Sequence, residues 1–173
     1  MRRLVAFLVS TIVFPSLSIG LLASDAIGQM AKEQLVGSWT LVSAINTDKS
    51  GKKVELFGPN PKGALMFDST GHFSILITRL NLPKFASKNR MAGTPKENRA
   101  VVAGSIAYFG TYSVSDADRT INIHVEGSTF PNWTGTDQKR PFTLTGDELR
   151  YTNPAPSVGY GTAEVVWRRA KSL

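Results

Sequence analysis

Two kinds of hydrophobic pattern divide the chain. Residues 4–23 form an apolar run interrupted by Ser, Thr and Pro15. Beyond residue 34, apolar side chains recur at every second position in short segments bounded by Gly, Pro, Asn and Asp. A period of two is that of strands, whose successive side chains point to opposite faces. Gly37 to Thr47 reads as a first strand, with Trp39, Leu41, Ser43 and Ile45 on one face and Val42 and Ala44 on the other. Asp48-Lys-Ser-Gly51 and Phe57-Gly-Pro-Asn-Pro61 are loop chemistry around a short strand from Lys53 to Phe57. Residues 63–68 and 72–79 make a hairpin about Ser69-Thr-Gly71. In its second arm Phe73, Ile75 and Ile77 share one face, and Ser74, Leu76 and Thr78 share the other.

The period changes once. Residues 81–93 are irregular, basic and punctuated by Pro and Gly, as a loop would be. Thr94-Pro-Lys-Glu97 then joins a capping residue, Pro at the first helical position and Glu at the third. A helix of three or four turns is expected from there, ending before Gly110. The alternation resumes over 109–115, 120–127, 138–144, 148–152 and 162–169, with turns at 116–118, 145–147 and 153–156. The expected fold is all-β: a closed antiparallel barrel of about eight strands with one helix between the strands.

Charge and composition narrow the class. Arg2 and Arg3 before the apolar run, and the small residues Ala23-Ser-Asp-Ala26-Ile-Gly28 after it, give the order of a secretory signal peptide. Residues 1–28 are assigned to that leader, 29–34 to a linker and 35–170 to one domain. Pro15 argues against a lasting membrane anchor once the leader is cut. Cleavage takes the formal charge from +7 to +6, and no basic stripe with interleaved aromatics points to nucleic acid. The absence of cysteine excludes disulfides, thiolate nucleophiles and thiolate metal sites, so an exported domain of this sequence must be held by packing.

Candidate chemistry concentrates in His124-Val-Glu-Gly-Ser-Thr-Phe-Pro-Asn-Trp-Thr-Gly-Thr-Asp137. His124 and Glu126 share a strand face, and Pro131 ends the ladder, leaving Trp133 on a loop beside the strand end. One reading is a ligand site formed by His124, Glu126, Phe130, Asn132 and Trp133, with Tyr108 and a rim arginine, Arg79. The other is a hairpin in which Phe130 and Trp133 plug one end of the core. If the protein is an enzyme, His124 and Glu126 would carry a proton transfer with Tyr108 or Tyr112 as donor. In the alternative, the pair is a satisfied polar network fixing the wall. His72 reads as a solvated turn residue. His72, His124 and Glu126 could ligate a metal only if the barrel brought them together, and neither a metal nor a cofactor is expected.

The sequence resembles a bacterial and fungal lipocalin-like domain family. The likeness is carried by Leu-Val-Gly-Ser-Trp-Thr-Leu-Val at 35–42, Ala-Tyr-Phe-Gly-Thr-Tyr at 107–112 and His-Val-Glu-Gly-Ser at 124–128. Phe-Pro-Asn-Trp-Thr-Gly-Thr-Asp-Gln at 130–138 and Val-Val-Trp-Arg-Arg at 165–169 extend it. It implies an eight-stranded calycin-type barrel around a small, apolar molecule. It also implies that Trp39 closes one end, with Arg168 or Arg169 packed across its ring. Related barrels include cyclases, isomerases and a hydratase. The expected function is reversible binding of a small hydrophobic or amphipathic ligand outside the cytoplasm. A cofactor-independent isomerase, cyclase or hydratase in the same cavity is the first alternative. A plugged barrel acting through a protein partner is the second. Every inward or outward assignment depends on register, because a slip of one residue reverses all facings.

Overall fold

The computed structural model describes residues 31–171, so the leader expected at 1–28 lies outside the described residues. Residues 31–35, most of the expected linker, are helical. The strands that follow are β1 (Gly37–Thr47), β2 (Lys53–Glu55), β3 (Lys62–Phe67), β4 (His72–Thr78) and β5 (Ser105–Ser115). After them come β6 (Thr120–Ser128), β7 (Asp137–Thr145), β8 (Glu148–Asn153) and β9 (Thr162–Arg169). All pair antiparallel in the order β2-β1-β3-β4-β5-β6-β7-β8-β9, and β9 pairs back onto β1 from Trp39 to Thr47. β2 adds to β1 only over Ile45–Thr47, so eight strands close the barrel and no long edge is left open.

Antiparallel pairing sorts the connections to two ends. Short turns at 68–71, 116–119 and 146–147 form the base, where the helical residues 31–35 bring in Ala31 and the fully buried Leu35. The connections 48–61, 79–104, 129–136 and 154–161 form the mouth. Trp39 is buried just inside the base, its indole N–H donating to the Leu35 carbonyl at 2.9 Å. Arg169, not Arg168, lies over its ring, 4.3 Å from the centroid, and donates to the Val36 carbonyl at 3.2 Å.

Two expectations require correction. Leu41 and Val42 lie on opposite faces as expected, Leu41 inward and Val42 outward, but β1 carries a bulge between Leu41 and Ser43. The extra residue reverses the alternation, so Ala44 and Asn46 are buried while Ser43 and Ile45 turn away from the core. The helix, Pro95–Gly104, is also shorter than expected. Its capping box is as expected: the Glu97 amide donates to Thr94 Oγ1, and the Thr94 amide donates to Glu97 Oε2. Beyond Gly104, however, Ile106, Tyr108, Gly110 and Tyr112 are buried at alternate positions, and period two takes over at Ser105. At Gly110 the β5–β6 pairing shifts register, and any Cβ there would collide with the His124 carbonyl. That close approach requires glycine.

The base turn Asp68–His72 is a polar knot. The Asp68 carboxylate accepts from the His72 amide and the Thr70 hydroxyl, both at 2.8 Å, while the Tyr112 hydroxyl donates to the Asp68 carbonyl at 2.7 Å. Burial raises the Tyr112 hydroxyl to about 12, and those donors, the His72 amide first, lower the Asp68 carboxyl from 3.8 to about 2. A carboxyl lowered on folding stabilises the fold fully above its unfolded value, and that share is lost as pH falls through the folded value. The expected result is a melting temperature that falls between pH 3.8 and about 2, with a smaller fall for Asp68→Asn. Equal falls for the two proteins would contradict the assignment.

Candidate functional site

The inner wall of β6 is Ile121, Ile123 and Val125, all buried. Alternation therefore places His124 and Glu126 together on the outer face, and the expectation that they wall the cavity is corrected. Apolar side chains at the intervening positions determine this phase, since burying them removes more apolar area from water than the polar pair could. His124 Nδ1 meets Asp137 Oδ1 at 2.7 Å, with the imidazole about half exposed. The pair lies in an outer depression lined by Thr111, Asn122, His124, Asp137 and Lys139. Tyr108 and Tyr112 point inward from β5, so the wall separates them from His124 and Glu126. The expected proton-transfer set is thus not brought together. His72 sits in the base turn, and among the described residues no three His, Asp or Glu side chains are grouped to hold a metal.

The other candidates do meet, at the mouth. Pro131–Trp133 is a single 3-10 turn after β6 that turns Trp133 into the core and leaves Asn132 in solvent. Phe130 packs edge-on to Trp133 with centroids 5.7 Å apart, and Trp133 packs likewise on Tyr108 at 5.1 Å. Tyr108 in turn meets Phe73 at 5.9 Å. A column of four aromatic rings thus runs from the mouth down one wall, in offset edge contacts favoured by the ring quadrupoles. Arg79 is exposed on the rim, its amide donating to the Gly104 carbonyl at 2.8 Å.

Three spaces follow that column. An apolar cleft of about 290 Å³ opens at the mouth between Leu56, Phe57, Val102, Ile106, Phe130 and Val158. Below it, about 30 Å³ is enclosed by Ala44, Ile77, Tyr108, Trp133, Tyr151 and Val165. Leu56, Phe57 and Ile106 line both spaces. Deeper still, about 10 Å³ remains among Phe67, Phe73, Tyr108, Ile123, Arg140 and Tyr151. The lower barrel is therefore filled with side chains, and the larger open space is at the top.

Arg140, which sequence reasoning missed, is the buried cation of this interior, 2% exposed. Its Nη1 donates to the Lys139 carbonyl at 3.0 Å, Nη2 donates to Gln138 Oε1, and Nε has no partner. The signal for it was available: Arg140 has the same parity as the apolar Phe142 and Leu144 in β7. Tyr151, also buried, faces the same deep space. Burial first, and Tyr108 second, raise its hydroxyl well above the usual phenol range, with Arg140 opposing. Tyr151 therefore stays neutral and can serve as a hydrogen-bond donor.

Comparison with known proteins bears on this arrangement. Residues 36–170 match the family described as a lipocalin-like domain. The chain is also 31% identical over 109 residues to the 4′-hydroxy-3′-methoxypropiophenone carrier protein ppsC of Aspergillus oryzae, covering 58% of this chain and 98% of that protein.

Proposed function

Because this chain belongs to the lipocalin-like domain family, we propose that it is a carrier that reversibly holds a small hydrophobic or amphipathic molecule at the mouth of its barrel. The observation that carries this reading is the apolar cleft of about 290 Å³ above the Phe130–Trp133–Tyr108 column. That size is near the lower end for small-molecule sites, at roughly 300 Å³. Affinity would come from apolar surface leaving water, at ~25 cal/mol per Å². The Aspergillus oryzae relative is named as a carrier of a single-ring aromatic ketone, which suits a cleft lined by Phe57 and Phe130. Conversion of the ligand is the weaker reading, since His124 and Glu126 face away from Tyr108. The proposed setting is outside the cytoplasm, on the strength of the leader-like order of residues 1–28.

Titration with the neutral fluorophore N-phenyl-1-naphthylamine tests the carrier reading. The expected result is a saturable rise in emission with one probe per chain, and displacement by small aromatic ketones. A protein that is folded but gives no rise at any concentration would refute it.

A further inference from the structure

We infer that the natural ligand is an organic anion whose oxygen is received by Arg140, deep in the barrel beneath the mouth cleft. This rests on the carrier reading and adds a head-group chemistry to it. A buried guanidinium without a carboxylate is costly unless an acceptor is supplied, and among the described residues no ion pair includes Arg140. Two of its nitrogens are occupied by the Lys139 carbonyl and the Gln138 amide, both neutral acceptors. Its Nε is buried without a partner, and Arg140 borders the deepest space. That space, about 10 Å³, is the size of one water molecule, so it admits one ligand oxygen and nothing larger. The apolar body would remain above, with Tyr108 and Tyr151, which line both inner spaces, parting to pass the head.

The distribution of charge points to the same ligand class. The mouth connections 48–61 and 79–104 hold nine Lys and Arg against three Asp and Glu. All other residues together hold eleven against ten, so +6 of the formal charge of +7 belongs to the mouth. A field of that sign at the opening draws anions toward the cleft and raises their rate of entry. Surface lysines supply that steering in water, where salt screens them, whereas a contact at Arg140 is shielded from salt.

Calorimetric titration of the mature chain with matched acid and amide pairs decides the matter. Suitable pairs are 4-phenylbutyrate with 4-phenylbutanamide, 6-phenylhexanoate with its amide, and octanoate with octanamide. Acids are expected to bind at least tenfold tighter than amides, and most of that preference should persist in about 0.5 M salt, where surface charge is screened over roughly 4 Å. Arg140→Met should erase the preference, and Arg140→Lys, which keeps charge but lacks the Nε donor, should reduce it at least threefold. Thermal unfolding establishes that each variant is folded. If Arg140→Met does not fold, Arg140→Lys and the salt series decide alone. Equal binding of acid and amide, or a preference that survives loss of Arg140 or vanishes in salt, overturns the inference while leaving the carrier reading intact. If no member of any pair binds although the naphthylamine probe does, the inference falls and the carrier reading stands; if the probe does not bind either, both fall.

Discussion

Replacing Trp39 with alanine is expected to lower the free energy of unfolding by about 3–5 kcal/mol, measured by urea denaturation. Trp39 is 1% exposed, among the largest fully buried side chains, and truncation would leave a cavity between β1, β9 and the helical residues 31–35. Three further contacts would go with it. Leu35 loses the indole N–H as a donor, Arg169 loses the ring beneath its guanidinium, and Arg169 is then less firmly held for its bonds to Gln34 and Val36. Since a domain of this kind is stabilised by only about 5–15 kcal/mol, the variant should be marginal at room temperature. Arg169→Met keeps the ring and some of the packing, so its loss should be nearer 1 kcal/mol, in the range of a partly exposed cation–ring contact. Equal losses for the two variants would mean that the base is closed by the arginine's hydrogen bonds and not by the buried indole.

The second large effect concerns binding. Ala103→Trp is expected to weaken the naphthylamine probe more than tenfold, which is about 1.4 kcal/mol or more, with little change in melting temperature. Ala103 lines the mouth cleft from the Pro95–Gly104 helix and is exposed, so an indole there can lie across the opening without entering the core. The helix that carries it is firmly seated. Glu97 accepts from the amides of Thr94 at 2.7 Å and Ala86 at 2.8 Å, and a Cβ at Gly104 would press on Leu82. The new side chain therefore has no easy way to swing clear with its helix. Titration of the variant beside His124→Ala checks the location. His124, on the outer face, should change the affinity less than twofold, and the reverse order would move the site to the outer depression.

Much of the fold could be read in the sequence because the barrel expresses itself as period two. β9 falls on the expected 162–169 and β1 on 37–47, and the helix begins at the expected Thr94 cap. What was misjudged is which face looks inward. The bulge at Leu41–Ser43 has no composition signal, yet it turns Ala44 and Asn46 inward for the rest of β1. At Gly110 β5 approaches β6 too closely for a Cβ, and read as a helix stop it drew Ser105–Ala107 into the wrong element. His124 and Glu126 attracted notice as a polar pair, but Ile121, Ile123 and Val125 beside them determine the inner face. Arg140 has the opposite history. A charged residue that follows Asp137-Gln138-Lys139 reads as solvent-facing, and only its shared parity with Phe142 and Leu144 shows that it points into the barrel. Phe130, Trp133 and Tyr108 do pack on one another, as the plug reading has Phe130 and Trp133 doing at one end of the core, and Phe130 also lines the mouth cleft.

The most direct measurement is the change in backbone amide chemical shifts of the isotopically labelled protein as N-phenyl-1-naphthylamine is added. Binding at the mouth predicts that the largest changes fall at Leu56, Phe57, Ile106, Phe130 and Trp133, with Thr111, Asn122, His124 and Lys139 unmoved. Changes concentrated on the second group, or none at saturating probe, would contradict a carrier that works through the open end of its barrel.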